Sequence, residues 1–338
     1  MHGHFVAVQR SSHICAVDFH PCGSLRINAR TFCSTATANC RYVRRKCRNE
    51  TSMSTNKGNT KNHNNELFIQ TARKTYYEWD KLRDVNYLYY YCSTDVFLNG
   101  IVESNPTSQK ELCLWASRYS YMNDKEELQC GIRRIESWNP PDYLIDGIRQ
   151  AHETDHIISL SMAEDNLTMW NTYGDGGKGV MLAFDTNMLL SQYAGRLQPC
   201  FYSGSEYDTN IEDSFGHIIQ GSMFNGLPFK DYLEILVPLL LMYAILRKDK
   251  NYDYEKEVRI YGIGGKNFDI ERKDIQYRYS KGLVVPYVKE YFPQTMLKEV
   301  CLGPVAEHEL SEKAMHEFLQ AKGFIDCKVT HSNIPYRG

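Results

Sequence analysis

No hydrophobic run in this 338-residue chain is long enough to cross a bilayer. The longest, Ile235–Leu246, has 12 residues and is interrupted by Pro238, where a spanning helix needs about 20. An excess of charge of one sign is also missing. The 39 Lys and Arg nearly balance 41 Asp and Glu, which removes the electrostatic case for a general binder of nucleic acid or of a membrane surface. Nor is there a phosphate-cradling loop. The turn Gly174-Asp-Gly-Gly-Lys-Gly179 is flexible but lacks the GxxxxGK[ST] spacing. What the chain does have is a 42% hydrophobic content, ample for a buried core in one large domain or two small ones.

The average hides a seam. Residues 1–52 carry eight Lys and Arg against Asp18 and Glu50, so +6, leaving 31 against 39, or −8, for the remainder. Five of the 11 cysteines (Cys15, Cys22, Cys33, Cys40, Cys47) fall in the same stretch. Three readings of this leader compete: a metal module, an Arg-rich transit peptide, or a segment foreign to the fold. His2, His4, His13, Cys15, His20 and Cys22 crowd together but show no CxxC or HxxxH spacing, so the metal reading is weak. The leading expectation is a non-native or disordered leader over 1–52, a polar linker over 53–65 and a single α+β domain over 66–338. The six later cysteines (Cys92, Cys113, Cys130, Cys200, Cys301, Cys327) are scattered. They read as reduced, mostly buried thiols of a cytoplasmic protein.

Beyond the linker, strands are expected at Tyr87–Cys92, Leu112–Trp115, His156–Ser161, Gly179–Asp185, Leu197–Tyr202, Glu257–Ile263, Ile275–Tyr279, Leu283–Val288, Leu297–Leu302 and Cys327–His331. Helical spacing marks 66–85, a segment capped by Ser93 or Thr94 and running through Val102, one capped by Asn123-Asp124, then Tyr143–Ala151, 165–173, Asn187–Tyr193, 211–224, 229–247 and Glu309–Ala321. The interspersion lacks regular βαβ spacing. It predicts an α+β fold with a mixed or antiparallel split sheet and flanking helices.

Two strings place polar groups where chemistry could sit. In Ile158-Ser-Leu-Ser-Met162, period-2 alternation sends Ser159 and Ser161 to one face. In Tyr254-Glu-Lys-Glu-Val-Arg-Ile260, a strand would put Glu255, Glu257 and Arg259 on one face and Val258 and Ile260 inward. Taken alone, each is better explained as a solvated face with cross-strand pairs.

A wider resemblance changes that weighting. Leu88-Tyr-Tyr-Tyr-Cys-Ser93, Leu114-Trp-Ala-Ser117, Tyr121-Met-Asn-Asp-Lys-Glu126, Ser159-Leu-Ser161, Met169-Trp-Asn-Thr-Tyr173, Gly179-Val180 with Phe184-Asp185, Tyr254-Glu-Lys-Glu-Val-Arg259 and Ile334-Pro-Tyr-Arg337 resemble the DUF2971 family of uncharacterised bacterial proteins, in that family's order. The family is distantly similar to the ADP-ribosyltransferase fold. The resemblance implies an ADP-ribosyltransferase-like core in which Tyr90, then Ser159 and Ser161, then Glu255 and Glu257 surround the nicotinamide end of NAD. It departs from the pattern at its first position, where Tyr90 stands in place of Arg or His.

On that resemblance the protein is expected to transfer ADP-ribose from NAD, as substrate, to a protein or nucleic-acid acceptor, in toxin or antiphage defence. Breaking the nicotinamide–ribose bond develops an oxocarbenium-like charge that a carboxylate stabilises. Glu257 takes that role, Ser161 or Ser159 orients it or the ribose, and Glu255 deprotonates or aligns the acceptor nucleophile. Tyr90 and Tyr173 offer ring faces to the bases, and Arg259 either contacts the pyrophosphate or neutralises Glu257. No metal is expected. Two alternatives stand beside this reading: a non-catalytic nucleotide-binding sensor, and a nuclease that uses Glu255 and Glu257 with a divalent metal.

Overall fold

In the computed structural model, the described residues are 16–19, 25–28, 81–102, 111–122, 127–140, 142–152, 155–193, 196–206, 208–209, 240–264, 274–280 and 282–336. Residues 66–80 of the expected helix 66–85, the expected helix 211–224, residues 229–239 of the expected helix 229–247 and the Asn123-Asp124 cap lie outside them, and Lys81–Asp84 form a 3-10 turn. The chain divides into two compact units, 1–57 and 58–338. Within the first, β1 (Ala16–Phe19) pairs antiparallel with β2 (Leu25–Asn28). All that follows concerns the second.

Its strands are β3 (Tyr87–Cys92), β4 (Glu111–Arg118), β5 (His156–Ser161), β6 (Val180–Asp185), β7 (Leu197–Pro199), β8 (Phe201–Tyr202), β9 (Arg247–Lys248), β10 (Glu257–Ile263), β11 (Gln276–Ser280), β12 (Leu283–Pro293), β13 (Leu297–Leu302) and β14 (Lys328–His331). Its helices include α1 (Glu127–Glu136), α2 (Asp142–His152), α3 (Leu167–Thr172), α4 (Thr186–Gln192) and α5 (His308–Ala321). Ten strands form one sheet in the order β11-β12-β4-β5-β3-β6-β13-β14, with β10 and then β7 branching from β5. Among the described residues, only β13–β14 is parallel in this sheet. The architecture is therefore mixed, with helices beside a large mixed sheet.

The branch at β5 is what positions the site. β5 pairs with β4 at Ser117↔Ile157 and Arg118↔His156, with β3 only at Tyr89↔Ser161, and with β10 from Glu257↔Ser161 to Ile260↔Ile158. At the centre of the sheet both faces are covered, and β5, β6 and β10 are buried along nearly their whole length. Val180, Leu182 and Phe184 of β6 enter the main core with Leu160, Val258 and Ile260. Met181 and Ala183, pointing the other way, pack with Tyr89, Tyr91 and Trp170 of α3. A third cluster on this second side gathers Ile157, Tyr119, Tyr261 and the helical residues 240–246.

Short polar side chains terminate the elements. Asn166 caps α3 by accepting from the backbone N–H of Thr168 (3.0 Å) and Met169 (3.2 Å), and Asp185 caps α4 through Met188 N–H (3.0 Å). The expected helix 229–247 ends one residue sooner: 240–246 are helical, and Arg247–Lys248 leave as β9, parallel to β8. The strand expected at Leu197–Tyr202 divides at Cys200 into β7 and β8, which lie in different sheets. No helix of the described residues is long and apolar enough to cross a membrane. None of the six later cysteines forms a disulfide among the described residues, and all but Cys130 are buried.

Candidate functional site

On the second face of the sheet, between the Trp170 cluster and the 240–246 helix, four charged side chains meet out of water. Lys248, Glu255, Glu257 and Arg259 are exposed by 4%, 3%, 4% and 0%. The expectation that Glu255 rides on the same strand as Glu257 needs correction. β10 begins only at Glu257, and residues 250–255 form a 3-10 helix capped by Asp249, whose carboxylate accepts from Asn251 N–H at 2.9 Å. Lys256 between the acids sits in the left-handed region (φ 42°, ψ 48°), which costs roughly 1–2 kcal/mol for a non-glycine residue. That bend takes Glu255 off the strand yet keeps its carboxylate beside that of Glu257.

The two acids close on one ammonium. Lys248 Nζ donates to Glu255 Oε2 and, at 2.8 Å, to Glu257 Oε2. Arg259 clamps Glu257 from the other side, Nε to Oε1 at 2.8 Å and Nη2 to Oε2 at 2.7 Å, the bidentate geometry that suits guanidinium and carboxylate. Its Nη1 donates to Ile245 O and, at 2.9 Å, to the Tyr119 hydroxyl. Tyr173 donates its hydroxyl to Glu255 Oε1 at 2.8 Å. Ser161 Oγ donates to the Glu255 carbonyl at 2.5 Å and accepts from Ala163 N–H at 2.9 Å. The Tyr202 hydroxyl accepts from Glu257 N–H at 3.0 Å.

The four charges cancel, which is what lets them share a dry site. Burial raises the Glu255 carboxyl above its ordinary range, against the pull of Lys248. Burial alone would lower Lys248, but Glu257 and Glu255 outweigh it and hold the ammonium protonated far into alkali. Tyr173 is held protonated by burial and by the Glu255 charge. Burial, reinforced by Glu257, pushes the Cys200 thiol well above its usual range, so it is no thiolate nucleophile.

The ladder shows which expected residues come together. Glu257 faces Ser161 and Arg259 faces Ser159 across β10–β5, and Arg259 faces Gln198 across β10–β7. Side chains directly opposed in an antiparallel ladder share a face. Ser159 Oγ and Gln198 Nε2, flanking Arg259, are buried without a hydrogen-bond partner among the described residues. Glu255, Glu257, Ser161, Tyr173 and Arg259 therefore form one constellation, with Ser159 at its border.

Tyr90 lies elsewhere. It packs with the main core, on the side of Leu88 and Cys92, whereas Tyr89 and Tyr91 occupy the second side; burial pushes the Tyr90 phenol up to about 12. Arg259 is fully committed to Glu257, Tyr119 and Ile245. Lys248, Tyr202, Tyr119 and Gln198 were not singled out by the sequence. Only Lys248 carried any signal there, as a cation directly after a long apolar helix. Among the described residues, no group of three His, Cys, Asp or Glu is placed to hold a metal ion.

No curated protein and no solved structure matches this chain. A family model does match, over a span that contains Tyr173, Lys248, Glu255, Glu257 and Arg259 but not Tyr90, Ser159 or Ser161. Residues 169–260 match the DUF2971 family, described as a protein of unknown function.

Proposed function

We propose that this site breaks the nicotinamide–ribose bond of NAD and passes ADP-ribose to a macromolecular acceptor, on an ADP-ribosyltransferase-like core. One observation carries the reading: Glu255 and Glu257 converge on a single cationic nitrogen, Lys248 Nζ, in a site closed to water. An arrangement that holds a positive charge between two carboxylates also suits an oxocarbenium-like ribose, whose charge develops only in the transition state. Cleavage sends the C–N electron pair to nicotinamide, which leaves neutral. The acceptor forms the new bond at the same ribose carbon, and Glu255, its carboxyl raised by burial, takes the acceptor's proton. Glu257 is aimed by Arg259. Tyr173 and Ser161 hold Glu255 through its carboxylate and its carbonyl. On this reading the Lys248 ammonium stands in for the ribose cation and gives way to it when NAD binds.

A second reading rests on a different feature. Every carboxylate oxygen of the pair already has a partner, as befits a nucleotide-binding module without turnover. Nicotinamide release by the full chain, with and without cell extract as acceptor, separates the two. Release that vanishes in Glu257→Gln supports the transferase. An NAD-dependent rise in Tm without release supports the binding module, and neither signal sinks both.

A further inference from the structure

Three cations buried among the described residues have counter-ions: Lys248 and Arg259 have Glu257, and Arg247 has Asp208 at 2.9 Å. Arg278, half-buried on β11, is held differently. Among the described residues it makes one hydrogen bond, from Nη2 to the neutral Ser117 Oγ at 2.7 Å. Its guanidinium carbon lies 5.4 Å from the Trp115 ring centre and 6.0 Å from that of Tyr287. Tyr287 is fixed in turn, its hydroxyl donating to Gln276 Oε1 at 3.0 Å. The register puts these groups on one face: Tyr287 faces Ser117 across β12–β4, and Arg278 faces Val285, two residues before Tyr287, across β11–β12.

Two buried donors in this stack have no acceptor among the described residues, Arg278 Nε and Trp115 Nε1. Buried polar groups are nearly always paired, and an exception asks for a cause. Both are donors, so whatever meets them brings acceptors; beside a cation with no carboxylate among the described residues, it brings negative charge. The Nε–Nη2 edge of a guanidinium is a planar fork that two oxygens of one oxyanion fit, and the flanking rings already fix its orientation. We propose that Arg278, Trp115 and Ser117 form a binding site for a phosphoryl group, its oxygens accepting from Arg278 Nε and Nη2 and from Trp115 Nε1. This site is separate from the Glu255–Glu257 pair, and it stands or falls independently of NAD turnover.

The test is calorimetric titration of the full chain with pyrophosphate at physiological salt, with malonate as the carboxylate control. One saturable site is expected. Binding weakens about tenfold or more in Arg278→Gln, the loss of a charged hydrogen bond. It weakens comparably in Arg278→Lys, which keeps the charge and loses the fork, and by a smaller factor in Trp115→Phe, which keeps the ring and loses the N–H. Ser117→Ala leaves both partners in place and weakens binding by loosening the guanidinium, so the case does not hang on one variant's folding. Absence of saturable binding to the wild type, full binding by a folded Arg278→Lys or Trp115→Phe, or malonate binding as tightly as pyrophosphate would overturn the proposal.

Discussion

Glu257 and Ser161 face each other across the β10–β5 ladder, and Ser161 also faces Tyr89 across β3–β5. Three strands thus meet at one serine. Its hydroxyl is spent on the Glu255 carbonyl and the Ala163 N–H, so the serine joins the end of the 250–255 helix to the turn after β5. The acid pair owes its position to that junction.

Glu257 is the member of the cluster whose loss costs most. Replacing it by Gln leaves Arg259 and Lys248 short of their shared anion in a site where Arg259 is 0% exposed. Removing one partner of a buried pair costs about 3–5 kcal/mol, and urea unfolding should show a loss of that size for Glu257→Gln. Lys248→Met relieves part of it. The double variant should fall short of the summed single losses by about 1–3 kcal/mol. Additive losses would mean that the ammonium and the carboxylate are not coupled.

Tyr173 should titrate late. Burial and the neighbouring Glu255 charge raise its pKa in the folded state, and Glu257 and Glu255 raise that of Lys248 against the opposing effect of burial. A group raised on folding contributes stability that is complete below its unfolded pKa, about 10 for both side chains, and that is lost as pH rises through the folded value. The protein should therefore weaken progressively above pH of about 10. Ultraviolet titration of Tyr173→Phe should lose one tyrosine from the late phase and none from the early one; a loss from the early phase would contradict the Glu255 contact.

Much of this arrangement is legible in the order of the amino acids. The alternation in Ile158–Met162 places Ser159 and Ser161 together, and Val258 and Ile260 do pack inward while Glu257 and Arg259 share the other face. Tyr90 shows where the pattern stops. In Tyr87-Leu-Tyr-Tyr-Tyr-Cys92 aromatics occupy adjacent positions, so alternation cannot say which of them looks toward the serines. Glu255 leaves the strand because Lys256 adopts a left-handed turn that neither Gly nor Asn announces. Lys248 reaches the acids from a two-residue strand, and nothing in local spacing connects it to residues seven and nine positions on. Arg278 and Trp115 lie more than a hundred and fifty residues apart in the chain. Only the β12 ladder, shared by β4 and β11, brings them to one face.

Asp165 ties down the end of the described chain. Its Oδ1 accepts from Trp170 Nε1 at 2.8 Å and Ser332 Oγ at 2.6 Å, and its Oδ2 from Asn333 N–H at 3.1 Å. Ser332 Oγ also accepts from Ile334 N–H at 3.1 Å, and Ile334 packs against the Trp170 cluster. Asp165→Ala should release residues 332–336 while the sheet stays intact, since local segments open at less cost than the whole fold. Hydrogen exchange should accelerate at Asn333 and Ile334 and remain slow at Val180–Phe184. Uniform acceleration would make Asp165 a global prop instead of a latch.

The glycine turn after α3 is a packing joint, and three alanine substitutions separate that role from simple loop flexibility. A Cβ on Gly179 would stand 2.2 Å from the Cys92 carbonyl oxygen, and one on Gly303 would stand 2.3 Å from the Gly177 carbonyl oxygen. Backbone atoms cannot swing aside as a side chain can, and the segments are already stitched by Gly303 N–H to Gly179 O and Val305 N–H to Gly177 O, both 2.9 Å. Gly179→Ala and Gly303→Ala should each cost about 3 kcal/mol or more, at the severe end for single substitutions. Gly176 differs. Its φ of +62° disfavours alanine, but nothing lies within 4 Å of the added carbon, so Gly176→Ala should cost only about 1 kcal/mol. Urea midpoints for the three variants check the ordering. Equal, small losses would mean that the turn does not clamp β3, β6 and the end of β13 together.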